Sequence, residues 1–441
     1  MTISELHELF LKCEGRITTD SRTIYGGEIF FAIKGENFDG NRFAAKALDS
    51  GAAYCVVSED SDAAASGDPR MLAFPDTRAA LQMLATYHRE NTLNDGKRIK
   101  MLALTGTNGK TTTKELIKAV LSTKYDITAT GGNFNNNLGV PLTLLQMTPQ
   151  TQLAIIEMGA SHPGDIRELV EIAHPDYGLI TNVGRAHLLG FGDFAGVKRT
   201  KGELYDYIRS VRGKCFVNAS SADLMDMVEE RDGLQTILYG SSLQNAKILP
   251  IDEKNPYLRL SIESQGHTYL IQTHIVGAYN AENILAAIAV GTEFGVSVQS
   301  AVNAIEEFVP VNNRSQMYST EDNTLIIDAY NANPSSMAAA LENFCMIRVP
   351  HKAVFLGDML ELGEESIVEH AKVIAKLREM APELVILVGK EFACASGVGK
   401  YLCFKTSEDA AEYLAKNPIK GYTVLIKGSR GTKMERLIPV L

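Results

Sequence analysis

Between residues 101 and 121 the chain runs from an apolar segment, Met101 to Leu104, through a glycine-containing stretch into Thr111 to Leu121, where Leu116, Ile117, Val120 and Leu121 share one helical face. That succession predicts a strand, a loop and a helix. The loop itself, Gly106, Thr107, Asn108, Gly109, Lys110, Thr111 and Thr112, is expected to bind a nucleoside triphosphate. Glycines let backbone N–H groups close around phosphate oxygens, Lys110 supplies a positive charge, and the Thr111 hydroxyl can reach Mg2+. The general phosphate-loop pattern would also need glycine at position 104, where this chain has leucine. Only its second half is matched, so a plain strand–helix turn is the alternative.

Around this loop the pattern is that of a parallel α/β domain. Leu153 to Ile156 and Gly178 to Thr181 read as buried strands with a helix near 164–173 between them, as a right-handed crossover requires. Residues 257–262 and 269–275 alternate apolar and polar, which predicts antiparallel strands and hence a mixed central sheet. Before it, short extended segments, glycine turns and two helices form a small α/β domain, ending at Asn94-Asp95-Gly96. From about 313 onward strands and helices alternate, predicting a Rossmann-like doubly wound sheet with ligands outside the carboxyl ends of its strands. Three domains are expected: 1–96, 97–312 and 313–441.

Charge and cysteine usage exclude several classes. Of 441 residues, 43 are Lys or Arg and 53 are Asp or Glu, a formal charge of −10, which argues against nucleic acid as a partner. The six cysteines are scattered without a C-x-x-C, which suits reduced thiols in a cytoplasm. The N-terminus does not resemble a signal peptide. The most apolar stretch, Ile284 to Val290, is too short for membrane insertion.

Two further residues sit where chemistry is expected. Glu157 ends the apolar strand 153–156, where a carboxylate can reach a metal beside phosphates; an ordinary strand-end acid is the alternative. His187 follows the next strand through Asn182-Val183-Gly184-Arg185-Ala186. A histidine alone is more often structural, and only its neighbours single it out.

Ordered along the chain are Thr105-Gly-Thr-Asn-Gly-Lys-Thr111, Glu157-Met-Gly159, Thr181-Asn182 through His187, Lys201-Gly-Glu203, Tyr279-Asn-Ala-Glu-Asn283, Asp328-Ala-Tyr-Asn-Ala-Asn-Pro334, Gly357-Asp-Met-Leu-Glu-Leu-Gly363 and Lys427-Gly-Ser-Arg430. In these motifs the chain resembles the Mur ligase family, which joins amino acids or peptides to the nucleotide-linked precursor of bacterial peptidoglycan. The pairing of Tyr-Asn-Ala-Asn-Pro with Gly-Asp-Met-Leu-Glu-Leu-Gly resembles the member that adds D-alanyl-D-alanine to UDP-MurNAc-tripeptide.

The resemblance implies roles at matching positions. ATP would lie on 106–112, with Lys110, Glu157, His187 and Lys201 as catalytic residues. Thr111, Glu157, His187 and Lys201 would form the Mg2+ site, Lys201 after carbamylation; without the resemblance, Lys201 reads as a solvated lysine at a helix start. Asn280 and Asn283 would lie near adenine, helix capping being the alternative for Asn280. Arg314 would contact phosphate, or else an interdomain salt bridge, and Asp328 the ribose. Ser21 and Arg22 would bind the UDP portion. In the run Gly132 to Gly139, Asn137 would touch the muramoyl substrate, unless the run is a surface turn. Tyr330, Asn331 and Asn333 would place the peptide or dipeptide. The protein would act as a monomer. A tripeptide-forming member, a folylpolyglutamate synthase-like ligase, or a nucleotide-binding switch without ligation are the competing readings.

Overall fold

The glycine loop stands at the carboxyl end of a strand buried from Met101 to Thr105 in the computed structural model, which describes residues 1–35, 38–250, 256–264, 266–310, 314–397 and 401–441. The expected boundary between 312 and 313 lies outside the described residues. The chain divides into two compact units, the first comprising Met1–Ala103, Tyr125–Ala160 and Gly164–Tyr177, the second Leu104–Lys124, Ser161–Pro163 and Gly178–Leu441.

In the first unit, strands β1 (Ile17–Thr18), β2 (Ile29–Phe31), β3 (Tyr54–Ser58) and β4 (Met71–Phe74) form a parallel sheet in that order. Phe30, Ala32, Cys55 and Val57 pack with Ala44, Ala47 and Leu48 of a short helix. Helix α1 (Ile3–Lys12) starts at a Thr2–Glu5 capping box, and α2 (Thr77–Asn91) starts at Asp76, whose carboxylate accepts from the N–H groups of Arg78 and Ala79. Such caps satisfy helix-end donors that would otherwise lack partners.

A six-stranded sheet built from β5 (Lys100–Thr105), β6 (Ile127–Ala129), β7 (Leu153–Glu157), β8 (Tyr177–Ile180), β9 (Lys214–Asn218) and β10 (Gln235–Tyr239) has the order β6-β7-β5-β8-β9-β10. Met101 to Leu104 and Leu153 to Ile156 are buried on both faces, as continuous apolar runs in parallel sheets require. The antiparallel segments do not join it. They form a separate sheet of β11 (Lys247–Ile248), β12 (Arg259–Ser264) and β13 (His267–Gln272). In β12 only Leu260 and Ile262 are buried, so these strands have one apolar face and are unsuited to a sheet covered on both sides.

The second unit also holds α3 (Lys110–Leu121), α4 (Phe194–Ser210) and α5 (Ala281–Glu293). Its last sheet comprises β14 (Gln316–Ser319), β15 (Thr324–Asp328), β16 (Lys352–Gly357), β17 (Leu384–Val388), β18 (Leu402–Phe404) and β19 (Thr423–Lys427), in the order β14-β15-β19-β16-β17-β18. β14 is antiparallel at the edge and the other neighbouring pairs are parallel. Alternate strand residues serve opposite layers. Ile326, Val354, Leu356 and Leu387 meet Leu341, Phe344 and Leu377 of the helices Pro334–Met346 and Ser366–Met380. Leu325, Phe355, Ile386 and Ile426 meet Leu414 and Leu437 on the other side. The sheet is therefore doubly wound. Because β19 returns between β15 and β16, the strand order reverses there, and Asp328, Lys427 and Asp358 gather at that switch point.

Candidate functional site

Strand β5 continues through Leu104, which is wholly buried, and the turn is made instead by Gly106 at φ 150°. A Cβ on Gly106 would collide with the Thr181 hydroxyl, and one on Gly109, at φ 77°, would meet the Asn283 amide at 2.9 Å. The loop is stitched to residues 181–184: Thr107 N donates to Asn182 O (3.0 Å), Asn108 N to Asn182 Oδ1 (2.9 Å), and Thr181 Oγ1 to Asn108 O (2.7 Å). Lys110 Nζ donates to the carbonyls of Gly106 (2.7 Å) and Thr107 (3.2 Å). Thr111 is buried and Thr112 half-buried at the start of α3, where helix N–H groups favour anionic oxygens.

Lys201 lies in the middle of α4 with 3% of its surface exposed. Burial, reinforced by the charge of Lys110, pushes its ammonium pKa well below the ordinary lysine value. The solvated lysine at a helix start is thereby overturned. His187 has left-handed backbone, φ 52°, and its Nδ1 stands 2.5 Å from Glu361 Oε2. Burial lowers its pKa, with Glu361 opposing and Lys110 adding to the effect.

Glu157 closes β7 with 1% of its surface exposed, and Asn135 Nδ2 donates to its Oε1 (2.8 Å). Asn137 is committed elsewhere, its amide donating to Glu168 at 3.2 and 3.3 Å and its carbonyl accepting from Gln82 (3.1 Å). Gln82 donates to Glu168 as well (2.8 Å). Gly132, Asn133, Phe134 and Asn136 of the run are exposed, while the amides of Asn135 and Asn137 are tied to Glu157 and Glu168. Among the described residues no three His, Cys, Asp or Glu side chains are grouped to hold a metal.

Asn280 precedes α5 but does not cap it. It is 1% exposed, donates to Val276 O (2.9 Å) and Ser315 Oγ (3.2 Å), and accepts from Asn283 Nδ2 (2.9 Å). Asp328 pairs at 2.5 Å with Lys427, itself 1% exposed. Arg314 makes no ion pair among the described residues; its guanidinium lies 3.6 Å from the centre of the Tyr330 ring, and Arg430 lies 5.4 Å from the same centre. Asn331 is exposed, its Oδ1 accepting from Ala332 N (2.9 Å). Asn333 caps the helix Pro334–Met346 by accepting from Ser336 N (2.9 Å), and its Nδ2 donates to Asn108 Oδ1 (2.8 Å). In the first unit, Ser21 and Arg22 follow β1. Arg22 is exposed and paired with Asp20 at 2.7 Å, and its hydrogen bonds hold that carboxyl at about 2.

Residues 15–89 match the "Mur ligase family, catalytic domain", 104–291 the "Mur ligase middle domain" and 313–430 the "Mur ligase, glutamate ligase domain". The UDP-N-acetylmuramoyl-tripeptide–D-alanyl-D-alanine ligase of Bacillus subtilis is 32% identical over 96% of this chain and 92% of its own. The chain belongs to the Mur ligase family. Among solved Mur ligase structures, MurF from Acinetobacter baumannii superposes with a TM-score of 0.85 at 31% identity, over 96% of this chain and 92% of that one. MurF from Thermotoga maritima in complex with ADP gives 0.83 at 26% identity, over 96% of each chain.

Several residues of this Mur ligase site were not singled out by sequence. Glu361 and Lys427 lie inside motifs that were noted, but their partners, His187 and Asp328, are far away in the chain. Asn135 lies in the same asparagine run as Asn137 and no feature of the run distinguishes the two. Ser335, whose Oγ accepts from Asn108 Nδ2 at 2.8 Å, carried no signal beyond following Asn333-Pro334.

Proposed function

We propose that this protein joins D-alanyl-D-alanine to UDP-MurNAc-tripeptide at the expense of ATP, giving the pentapeptide precursor of peptidoglycan. The likeness to ligases of that name over 96% of the chain is the observation that carries the reading. Residues 1–96 would hold the UDP-substrate, 97–312 ATP, and 313–441 would complete the site.

The tripeptide carboxylate attacks the γ-phosphate, forming an acyl phosphate and releasing ADP. Its negative charge otherwise repels an amine, and phosphorylation provides the leaving group. The free amine of D-alanyl-D-alanine then attacks, and the tetrahedral intermediate expels phosphate. Lys110 and the loop N–H groups offset charge on the transferring phosphoryl group. Asn280 and Asn283 set the adenine side of the loop, Asp328 the ribose and Arg314 a phosphate. Ser21, Arg22 and Asn137 hold the nucleotide-sugar, and Tyr330, Asn331 and Asn333 border the dipeptide.

The Thr111 hydroxyl and the Glu157 carboxylate offer oxygen donors of the kind that Mg2+ takes. Thr111, Glu157, His187 and Lys201 would hold it, and when bound it would neutralise phosphoryl charge. Lys201 fits as a carbamate. Burial disfavours its ammonium form; the neutral amine is the form that adds to CO2 with loss of a proton, and the product is an anionic oxygen ligand in place of a repelling ammonium. Among the described residues no helix is long and apolar enough to cross a membrane. A cytoplasmic monomer is the proposed working form.

The test is incubation with ATP, Mg2+, D-alanyl-D-alanine and UDP-tripeptides bearing either diaminopimelate or lysine at the third position, with mass analysis of the product. Single amino acids offered in parallel separate a tripeptide-forming ligase. ATP cleavage without amide formation on any acceptor overturns the proposal.

A further inference from the structure

We infer that Glu361, on the loop after β16, is a positioning residue for the ligation. By gripping His187 Nδ1 it sets that imidazole's tautomer and aim, and so makes His187 competent only when the last sheet is docked on the loops that carry it. The inference rests on the ligase reading above.

An exposed carboxylate–histidine pair would ordinarily contribute little, and the Glu361 side chain is 61% exposed. Three observations distinguish this one. The contact is 2.5 Å, and both partners have left-handed backbone, φ 52° at His187 and 64° at Glu361. Non-glycine residues hold that conformation at a cost, and only where their surroundings impose it.

Those surroundings are built. Asp358, 3% exposed, accepts from Glu391 N (3.0 Å) and Phe392 N (2.9 Å). Met359 N donates to Nε2 of the fully buried His370 (3.0 Å), and Leu360 N donates to Ser429 Oγ (2.9 Å). Three successive residues are thus anchored immediately before Glu361. Beyond it, Leu189 lies beside Gly363, and Arg185 pairs with Glu365 at 3.5 Å. A rigid finger therefore delivers one carboxylate to one ring nitrogen.

The chemistry follows from having two nitrogens. When Nδ1–H donates to Glu361, Nε2 is left as the lone-pair face. A histidine oriented in this way by a carboxylate is the arrangement that makes imidazole a well-aimed ligand or acceptor, and loss of such a partner costs about 10- to 100-fold in function.

The experiment compares E361A and E361Q with the parent. In E361A, kcat should fall about 10- to 100-fold while KM for ATP and for UDP-tripeptide stays within about twofold. In E361Q, whose amide oxygen still accepts from Nδ1–H, most of that loss should be recovered. Independently of activity, long-range 1H–15N spectra of the histidine rings, assigned with H187Q, should show His187 protonated on Nδ1 in the parent and in E361Q, and shifted toward the Nε2-protonated form in E361A. An unchanged kcat in E361A, an unchanged His187 tautomer in E361A, or a loss in E361Q equal to that in E361A overturns the inference. A parent enzyme without ligase activity defeats the functional reading instead, and the ring spectra still decide whether Glu361 sets the tautomer.

Discussion

Asn333 Nδ2 donates to Asn108 Oδ1 across 2.8 Å, while Asn108 Nδ2 donates to Ser335 Oγ across the same distance. Asn108 of the glycine loop is thus held by the capped end of the helix Pro334–Met346. Because Asn333 Oδ1 simultaneously accepts from Ser335 Oγ (2.9 Å) and Ser336 N (2.9 Å), cap and clamp share one side chain.

Replacement of Asn333 should therefore have two separable effects. N333A is expected to lose about 1 kcal/mol of stability from the cap and to raise KM for ATP through the freed Asn108. N333S keeps a capping oxygen but cannot span to Asn108. Urea melts with ATP kinetics check this: N333S should recover stability and not KM, and equal recovery of both argues against the clamp.

Lys201 is buried where its charged form is disfavoured, so between its lowered folded value and the unfolded value of about 10.4 it is neutral in the folded chain and protonated in the unfolded one. In that range the unfolded state binds the extra proton, and stability rises with pH. In magnesium- and bicarbonate-free buffer, K201M should melt above the parent at pH 7, with the gap narrowing as pH approaches about 10.4. Ligation should be lost in K201M and not restored by bicarbonate. A gap that is absent at pH 7 or widens with pH contradicts the buried neutral amine.

Much of this was readable in advance because buried parallel strands are continuous apolar runs. The strands expected at 101–104 and 153–156 lie within Lys100–Thr105 and Leu153–Glu157, and Gly106 to Gly109 lie between strand and helix. The burial of Lys201 is legible in the pattern too, against the solvated lysine that its residue type alone suggests. This lysine follows Val197 by four residues and precedes Leu204 and Ile208 by three and seven, which places it on the apolar stripe of α4. The pairs His187–Glu361 and Asn137–Glu168 were not legible, since periodicity says which face a residue occupies and nothing about which distant polar group it meets. The antiparallel strands were found but assigned to the wrong sheet, because alternation reports half-burial without naming the neighbour.

In the first unit, Asn135 donates one hydrogen bond to the buried Glu157 carboxylate. N135L should destabilise the protein by about 1–3 kcal/mol, the loss of one hydrogen bond at a buried carboxylate, and should raise the Mg2+ concentration needed for half-maximal ligation. Denaturant unfolding and a magnesium titration measure the two. Parent-like values for both remove Asn135 from the site.

Asp328 and Lys427 allow structure and binding to be told apart. Lys427 is 1% exposed and its ammonium is paired with Asp328, so D328A leaves a buried charge without its partner, at a cost of about 3–5 kcal/mol. The double replacement D328A/K427M removes both charges and should return most of that stability, since an apolar side chain of similar length fills the same buried space. If Asp328 also holds the ribose, the double variant should regain its melting temperature while KM for ATP remains raised by about 10-fold or more, the loss of a hydrogen bond to a charged group. Recovery of stability and ATP affinity together would make Asp328 a structural counter-ion alone.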